Sequence, residues 1–501
     1  MSGAVVLPED WRDEVADFVV IGSGAAGGTA ARVLAGAGLD VVLLEEGPPP
    51  DRARVARGIF PAMAHLFRDL GMTVMTGRSA IPYLQGRCLG GSTAINSAIC
   101  WRMPEDVYAR CWAHHGLERA LPLSELDDAY RTLEEELSVG PVREDRLGNN
   151  NRLMRRACEE LGWRGRTIER NERDCEGSGQ CLQACPTQRK QSVDVTYIPQ
   201  ALRDGARVYP WCEVQRIGVA DGRAAWVDAR GSDQMARARR LRVRARRGVI
   251  LAASAVQTPC LLRRSGLGDP RHVGEHFRAH PGAAMIGVFD APVRHWQGAT
   301  QGYESDAFRR QGIKFEAISL PFPLGGVRIP GVGDAFSRAA ADWDRMAIWA
   351  VQVRAEAEGR VRPGWFGPRV SYTPAPGDMA RLRRGLAILA EMLFAAGARA
   401  VLPGIHGLPE RIEHPDRARR LIRHGPLDPR AYKMIATHLF GTARMSLDPA
   451  SGVVGPDFQV HRLPGLFVVD SSVFPANLGV NPQHTIMAVA MVAARRLAAA
   501  I

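Results

Sequence analysis

The sequence predicts an α/β fold: a Rossmann-like, dinucleotide-binding domain assembled from separated segments, with a second domain inserted between them. Three observations carry this. A βαβ pattern with a glycine-rich turn occupies residues 16–48. An apolar run, Gly248-Val-Ile-Leu-Ala-Ala-Ser254, returns the chain to the same domain. Between about 276 and 430 the glycine signatures thin out and strand and helix patterns mix. The chain has 501 residues, and at about 150 residues per domain that length accommodates two large domains with interleaved segments.

Taken in order, residues 17–22 read as a short buried strand, Gly22-Ser-Gly-Ala-Ala-Gly27 as the turn, the Ala-rich stretch to about 37 as a helix, and residues 40–45 as the second strand. Pyrophosphate has to approach the backbone closely where a strand turns into a helix, and the helix N-terminus favours the anion. Gly22, Gly24 and Gly27 meet that need, and Glu45, ending the next strand about 20 residues on, is the expected ribose ligand. The alternative is a tight turn that binds nothing. Between 120 and 140, Ser124 and Asp127 form a capping-box pattern ahead of Leu126, Tyr130, Leu133 and Leu137 at helical spacing, which predicts a surface scaffolding helix. A cysteine-bearing loop spans 175–192. A pair of strand-like runs lies between 208 and 250, a helix near 379–396, and an Ala-rich helix continues to about 500. The resulting organisation is 14–100, 191–275 and 431–501 for the nucleotide-binding domain, 101–190 for an insertion with the cysteine loop, and 276–430 for the substrate domain.

Composition narrows the function classes. Hydrophobic residues make up 46% and charged residues 24%, which excludes a disordered or coiled-coil chain. The most apolar stretch, 386–402, is broken by Glu391 and Arg399, so no transmembrane segment is expected. Residues 1–11 have neither a basic start nor a long apolar run, so no secretory signal is expected and the expected compartment is cytoplasmic. The net charge of +12 is almost wholly arginine, since Lys190, Lys314 and Lys433 are the only lysines. In the densest basic run Leu241, Val243 and Ala245 alternate with Arg240, Arg242, Arg244 and Arg246, the period of a strand with one wet face. No nucleic-acid partner is expected. Nine cysteines suit a reducing compartment better than a disulfide framework.

Gly86-Arg-Cys-Leu-Gly-Gly-Ser-Thr-Ala-Ile-Asn96 resembles the first signature of the glucose-methanol-choline (GMC) oxidoreductases, FAD-dependent flavoproteins that oxidise alcohols. Ser254-Ala-Val-Gln-Thr-Pro-Cys-Leu-Leu-Arg-Arg-Ser-Gly-Leu-Gly268 resembles their second. A C-terminal block is similar to their catalytic segment: His438-Leu-Phe-Gly-Thr-Ala-Arg-Met445, Asp470-Ser-Ser-Val-Phe-Pro475 and Asn481-Pro-Gln-His-Thr485. The resemblance implies an FAD domain built from separated segments and an α+β substrate domain with a mainly antiparallel sheet. It places Gly90, Gly91, Asn96, Asn481 and Thr485 beside the flavin, Asp470 at the phosphate-ribityl region and Val214 at the adenine. Some members attach FAD covalently through a histidine in the Gly-Gly loop. The corresponding position is Ile95, so noncovalent FAD is expected.

Alcohol oxidation through a flavin requires a base for the hydroxyl proton while the α-hydrogen leaves as hydride. A neutral imidazole suits this task, and His438 holds the matching position. Asn481 matches the partner that hydrogen-bonds the substrate oxygen, with His484 as a rival. Pro482 suits a helix start, and the helix that follows would aim its N-terminus at the cofactor, favouring negative charge on the reduced ring. The spacing of Cys175, Cys181 and Cys185 resembles that of family members with an iron-sulfur cluster. Three thiolates leave one iron of a four-iron cluster unligated, so a loop of reduced thiols or one disulfide stays open beside it. The expected partners are a small-molecule alcohol and oxygen or another electron acceptor. Two alternatives keep the fold: a lyase of the hydroxynitrile-lyase type and a noncatalytic electron-transfer subunit.

Overall fold

The computed structural model describes residues 3–233 and 237–500. The strand Glu14–Ile21 lies at the centre of the first sheet, paired in parallel with Val41–Leu44 on one side and with Arg240–Leu251 on the other. Val19, Val20, Val42 and Leu43 are fully buried, as expected of strands covered on both faces. Beyond Val41–Leu44 the sheet continues through Arg207–Tyr209 to the short strand Ala4–Val5. The helix Ala25–Gly36 packs one face of the sheet together with the C-terminal helix Gln483–Ala499.

The region 208–250 holds more than the expected pair of runs. Cys212–Ala220, Arg223–Gly231 and Arg240–Leu251 form an antiparallel meander. The far half of Arg240–Leu251 then joins the parallel core, pairing with Glu14–Ile21 and Leu466–Val468. Its burial alternates as the sequence predicts, with Leu241, Val243 and Ala245 inside and the intervening arginines in solvent. This one strand ties the N-terminal, middle and C-terminal segments into a single sheet.

The second sheet has seven strands and every pairing in it is antiparallel. Arg278–Val288 is its hub, flanked by Met346–Val353, Ala400–Leu402 and Met434–Phe440. Met434–Phe440, which the sequence segmentation groups with the C-terminal part, hydrogen-bonds into this sheet and carries His438 across the seam between the two domains. The helix Pro376–Ala395 packs behind the sheet through Leu382, Leu386 and Leu389.

One local expectation is corrected. The helix Leu123–Glu136 begins ahead of Ser124, with Pro122 at the N-cap and no side-chain cap, because Pro122 already fixes φ for helix entry and leaves Ser124 inside the first turn. Nor is the helix only surface scaffolding. Its buried Tyr130 meets Thr485 Oγ1 at 2.9 Å and stacks on His484.

The glycine turn has a strict steric reason. A Cβ on Gly27 would lie 1.8 Å from the Gly22 carbonyl oxygen, so only glycine lets the helix sit on the strand end. Gly27→Ala is therefore expected to destabilise the protein by about 2 kcal/mol or more and to abolish flavin retention. Thermal unfolding and the visible spectrum of the purified variant check this, and a yellow variant of unchanged stability would refute it.

Candidate active site

One cavity of about 470 Å³ runs from the Gly22–Gly24 turn to His438 and Asn481. At the turn end, Ser23 is the hub. Glu45 accepts from the Ser23 amide at 2.9 Å and from its hydroxyl at 2.6 Å, and Gly90 N–H donates to the same hydroxyl at 3.0 Å. Burial pushes the Glu45 carboxyl up and these donors pull it back. Gly91 faces Gly24, and a Cβ on Gly91 would come within 2.8 Å of the Gly24 Cα. The walls stay thin where a pyrophosphate has to lie against the backbone.

Further along, Asp470 holds the start of the helix Ser254–Ser265. Its Oδ2 accepts from Ser254 N at 2.9 Å and Thr258 Oγ1 at 2.5 Å, while Oδ1 accepts from Ser472 N. Ser254 takes φ +90, a conformation a side chain rarely adopts, directly on the cavity wall. Val214 lines the cavity from the strand Cys212–Ala220. Three amide atoms of lining residues, Gln85 Oε1, Gln257 Nε2 and Gln352 Oε1, are buried with no partner in the protein. Orphaned donors and acceptors along one cavity with a dinucleotide turn fit a long polar cofactor such as FAD.

The end of the cavity at His438 is shaped by a break in the second sheet. Ala279 pairs with Leu439 and Pro281 with Ala436, so His280 alone faces both Thr437 and His438. Pro281 has no N–H for the ladder, and the sheet responds with a β-bulge that turns consecutive residues Thr437, His438 and Leu439 onto the cavity. The bulge brings His438 Nδ1 to 3.0 Å from His280 Nδ1. Enclosure and the nearby Lys314 charge lower His438 from 6.5 to about 3, and burial holds His280 far down as well. Both rings are neutral, so one proton lies between the two Nδ1 atoms. If His438 supplies that proton, its Nε2 is left as a free acceptor, and His280 carries its own proton on Nε2, an atom with no partner.

Asn481 lines the same end of the cavity, next to Pro482 at the cap of Gln483–Ala499. Its Oδ1 accepts from Lys314 Nζ at 2.8 Å. Lys314 is 1% exposed and also meets Glu304 at 2.7 Å and Glu316. Burial opposes its charge, yet the two carboxylates outweigh burial and raise its pKa. Asn96 sits across the cavity, donating to Gln483 Oε1 and accepting from Ala98 N.

Four expected contacts lie elsewhere. Gly27 and Gly90 stand behind the cavity wall, Gly27 under the Gly22 carbonyl and Gly90 against Asp194. Thr485 points away, to Tyr130 and the Trp101 carbonyl, because it follows Gln483 by two residues, about 200° of helix, and so lies on the opposite face. His484 is buried, 3.2 Å from Glu134, so it braces two helices instead of reaching the cavity.

The cysteine loop does not converge on a metal. Among the described residues no group of three or more His, Cys, Asp or Glu side chains is arranged to hold an ion, and Cys175, Cys181 and Cys185 are free thiols. Arg170 approaches Cys181 Sγ at 3.2 Å; burial pushes the Cys181 thiol up, but the charges of Arg170 and Lys190 outweigh it and lower its pKa. The loop instead delivers Lys190, whose buried ammonium donates to the carbonyls of Ala94, Asn96 and Cys181 at 2.8, 2.8 and 2.9 Å. That clamps the short helix Ser92–Ile95 of the Gly-Gly signature. Sequence reading missed Lys190, His280 and Lys314. The signals that could have found them were a His-Pro pair inside a strand pattern and the scarcity of lysine.

Comparison with known proteins agrees with this architecture. Residues 17–282 and 356–490 match the two models of the GMC oxidoreductase family. The chain is 38% identical to an uncharacterized GMC-type oxidoreductase of Mycobacterium tuberculosis over 97% of its own length and 76% of that protein. It is 26% identical to a long-chain-alcohol oxidase of Arabidopsis thaliana over 95% of its length and 67% of that protein. The fold superposes on pyridoxine 4-oxidase from Mesorbium loti with a TM-score of 0.72, at 19% identity, covering 96% and 99% of the two chains. Two family models spanning both the nucleotide-binding sheet and the strand of His438, with a relative at 38% identity, lead to one conclusion: the chain belongs to the GMC oxidoreductase family.

Proposed function

We propose that this protein oxidises an alcohol to the carbonyl compound, with noncovalently held FAD as the hydride acceptor, His438 as the base and Asn481 as the group that holds the substrate oxygen. The observation that carries this is the meeting of His438 and Asn481 in the cavity that begins at the dinucleotide turn. In the residues' own chemistry, His438 Nε2 takes the hydroxyl proton, the C–O bond gains double-bond character, and the α-hydrogen departs with its electron pair. FAD, when bound, supplies the acceptor for that hydride. Asn481 holds the oxygen as its charge grows. The first turn of Gln483–Ala499 adds the positive end of a helix dipole beside the ring. Turnover would then need oxygen or another acceptor to take up the two electrons held by bound FAD.

His280 governs the tautomer. By accepting from His438 Nδ1 it keeps the cavity-facing nitrogen unprotonated, the role a carboxylate takes in other dyads. The FAD contacts proposed are the backbone at Gly22, Gly24 and Gly91, with Glu45 at the ribose, Val214 at the adenine, Asp470 near the phosphate-ribityl region, and Asn96 and Asn481 at the ring. Ile95 on the cavity wall offers no atom for a covalent link.

Four outcomes follow. His438→Ala, mixed anaerobically with alcohol, should lose flavin reduction by about 10²-fold or more while still binding FAD; wild-type reduction rates would remove His438 from the mechanism. The acid limb of flavin reduction should fall below 6.5, since the cavity keeps His438 neutral toward about 3, and His280→Leu should slow reduction by less than His438→Ala does. A limb at or above 6.5 would contradict this. Acid precipitation should leave the flavin in the supernatant, and flavin in the pellet would show a covalent bond.

A further inference from the structure

We propose that Lys314 is the positioning residue of the active site: its buried ammonium fixes the Asn481 amide with the NH₂ turned toward the substrate oxygen. The proposal rests on the reading of His438 and Asn481 given above. An ammonium has three donors and no acceptor, so the Asn481 atom it meets at 2.8 Å is the carbonyl oxygen. The amide cannot flip without setting NH₂ against the buried NH₃⁺ of Lys314. Asn481 therefore presents a donor to the cavity, which suits an oxygen gaining negative charge as its proton leaves.

The ammonium is itself held from two further directions. Glu304 and Glu316 occupy its other donors. Glu304 in turn accepts from Trp101 Nε1 at 3.0 Å and Arg166 Nε at 2.8 Å, and Glu316 from Gln301 at 2.5 Å and Gln352 at 3.2 Å. Gln301 and Gln352 line the cavity. The network reaches from the strands Tyr303–Ser305 and Ile313–Ala317 to the cap of the C-terminal helix, so the substrate sheet sets the orientation of a residue belonging to the nucleotide-binding half. Lysine suits this place better than arginine, because three oxygens around one nitrogen match a compact ammonium and not a planar fork.

The same charge acts on the base. The groups facing the His438–His280 pair are Lys314 and Arg354, both cationic, and Lys314 is the charge that reaches both rings. Glu304 and Glu316 meet Lys314 and not the imidazoles. A cation nearby favours the neutral imidazole that a base needs. It would also favour the alkoxide character that forms as the proton is taken.

The test uses FAD-loaded Lys314→Met and the double variant Lys314→Met/Glu316→Gln, which restores the balance of buried charge if the single variant fails to fold. Flavin content and thermal unfolding establish that each is intact. At saturating alcohol, anaerobic flavin reduction should slow by about tenfold or more, with a smaller change in apparent alcohol affinity, and its acid limb should move up. Independently of turnover, the His438 imidazole signal in the NMR spectrum of the FAD-free protein should titrate at higher pH in the variants than in the parent. An intact variant with the parent's rate, acid limb and imidazole titration would overturn the proposal. If His438→Ala also reduces flavin normally, the reading of His438 as base has failed. If His438→Ala loses reduction and the Lys314 variants are unchanged, only the role of Lys314 has failed.

Discussion

The active site depends on one missing backbone donor. Pro281 interrupts the ladder between the strands Arg278–Val288 and Met434–Phe440, and the bulge that follows places one residue, His280, opposite two. A regular antiparallel register would send Thr437 and His438 to opposite faces of the sheet. With the bulge, three consecutive residues reach the cavity wall and two imidazoles meet nitrogen to nitrogen. The position of His438, the proposed base, and its contact with His280 thus follow from where a proline falls in a strand.

Around that point the chain uses its charges in two ways. Its arginines are mostly solvated or paired at the surface, as on the strand Arg240–Leu251, where exposed pairs contribute little to stability. Two of its three lysines are instead buried and surrounded by oxygen. Lys190 gathers three carbonyls and pins the Gly-Gly helix from behind; Lys314 gathers two carboxylates and the Asn481 amide. Breaking either set leaves buried polar atoms without partners, so both are expected to be rigid points of the structure.

Much of this was legible in the sequence. The βαβ unit, the alternating arginine strand and the C-terminal helix are local patterns, and local patterns survive folding. Gly22, Gly24 and Glu45 were read from the spacing of a glycine turn and an acid, whereas Gly91, Asn96, Val214, Asp470, His438 and Asn481 came from the family resemblance; all nine line the cavity. Thr485 and His484 went astray because the motif gives sequence proximity, while a helix turns neighbours by about 100° and carries them off the cavity face. The Ser124 cap failed because Pro122 starts the helix earlier. His280 and Lys314 were out of reach for another reason. Each acts on a residue far away in sequence, 158 positions in the case of His280 and His438 and 167 for Lys314 and Asn481. Strand pairing in the second sheet brings the two histidines together, and the packing of that sheet against the cap of the C-terminal helix brings Lys314 to Asn481. The cysteine spacing left a cluster, a disulfide and a loop of reduced thiols open; the three cysteines are free, and the buried charges of the loop are Lys190 and Arg170, which no spacing announced.

On the proposed reading, the cavity couples proton removal at His438 to hydride loss from the adjacent carbon. The most direct measurement is anaerobic, single-turnover flavin reduction with an alcohol carrying deuterium on the α-carbon, alongside assay of the carbonyl product. The oxidised flavin band should bleach more slowly with the deuterated alcohol, with one carbonyl formed per flavin reduced. Carbonyl released while the flavin stays oxidised would contradict it.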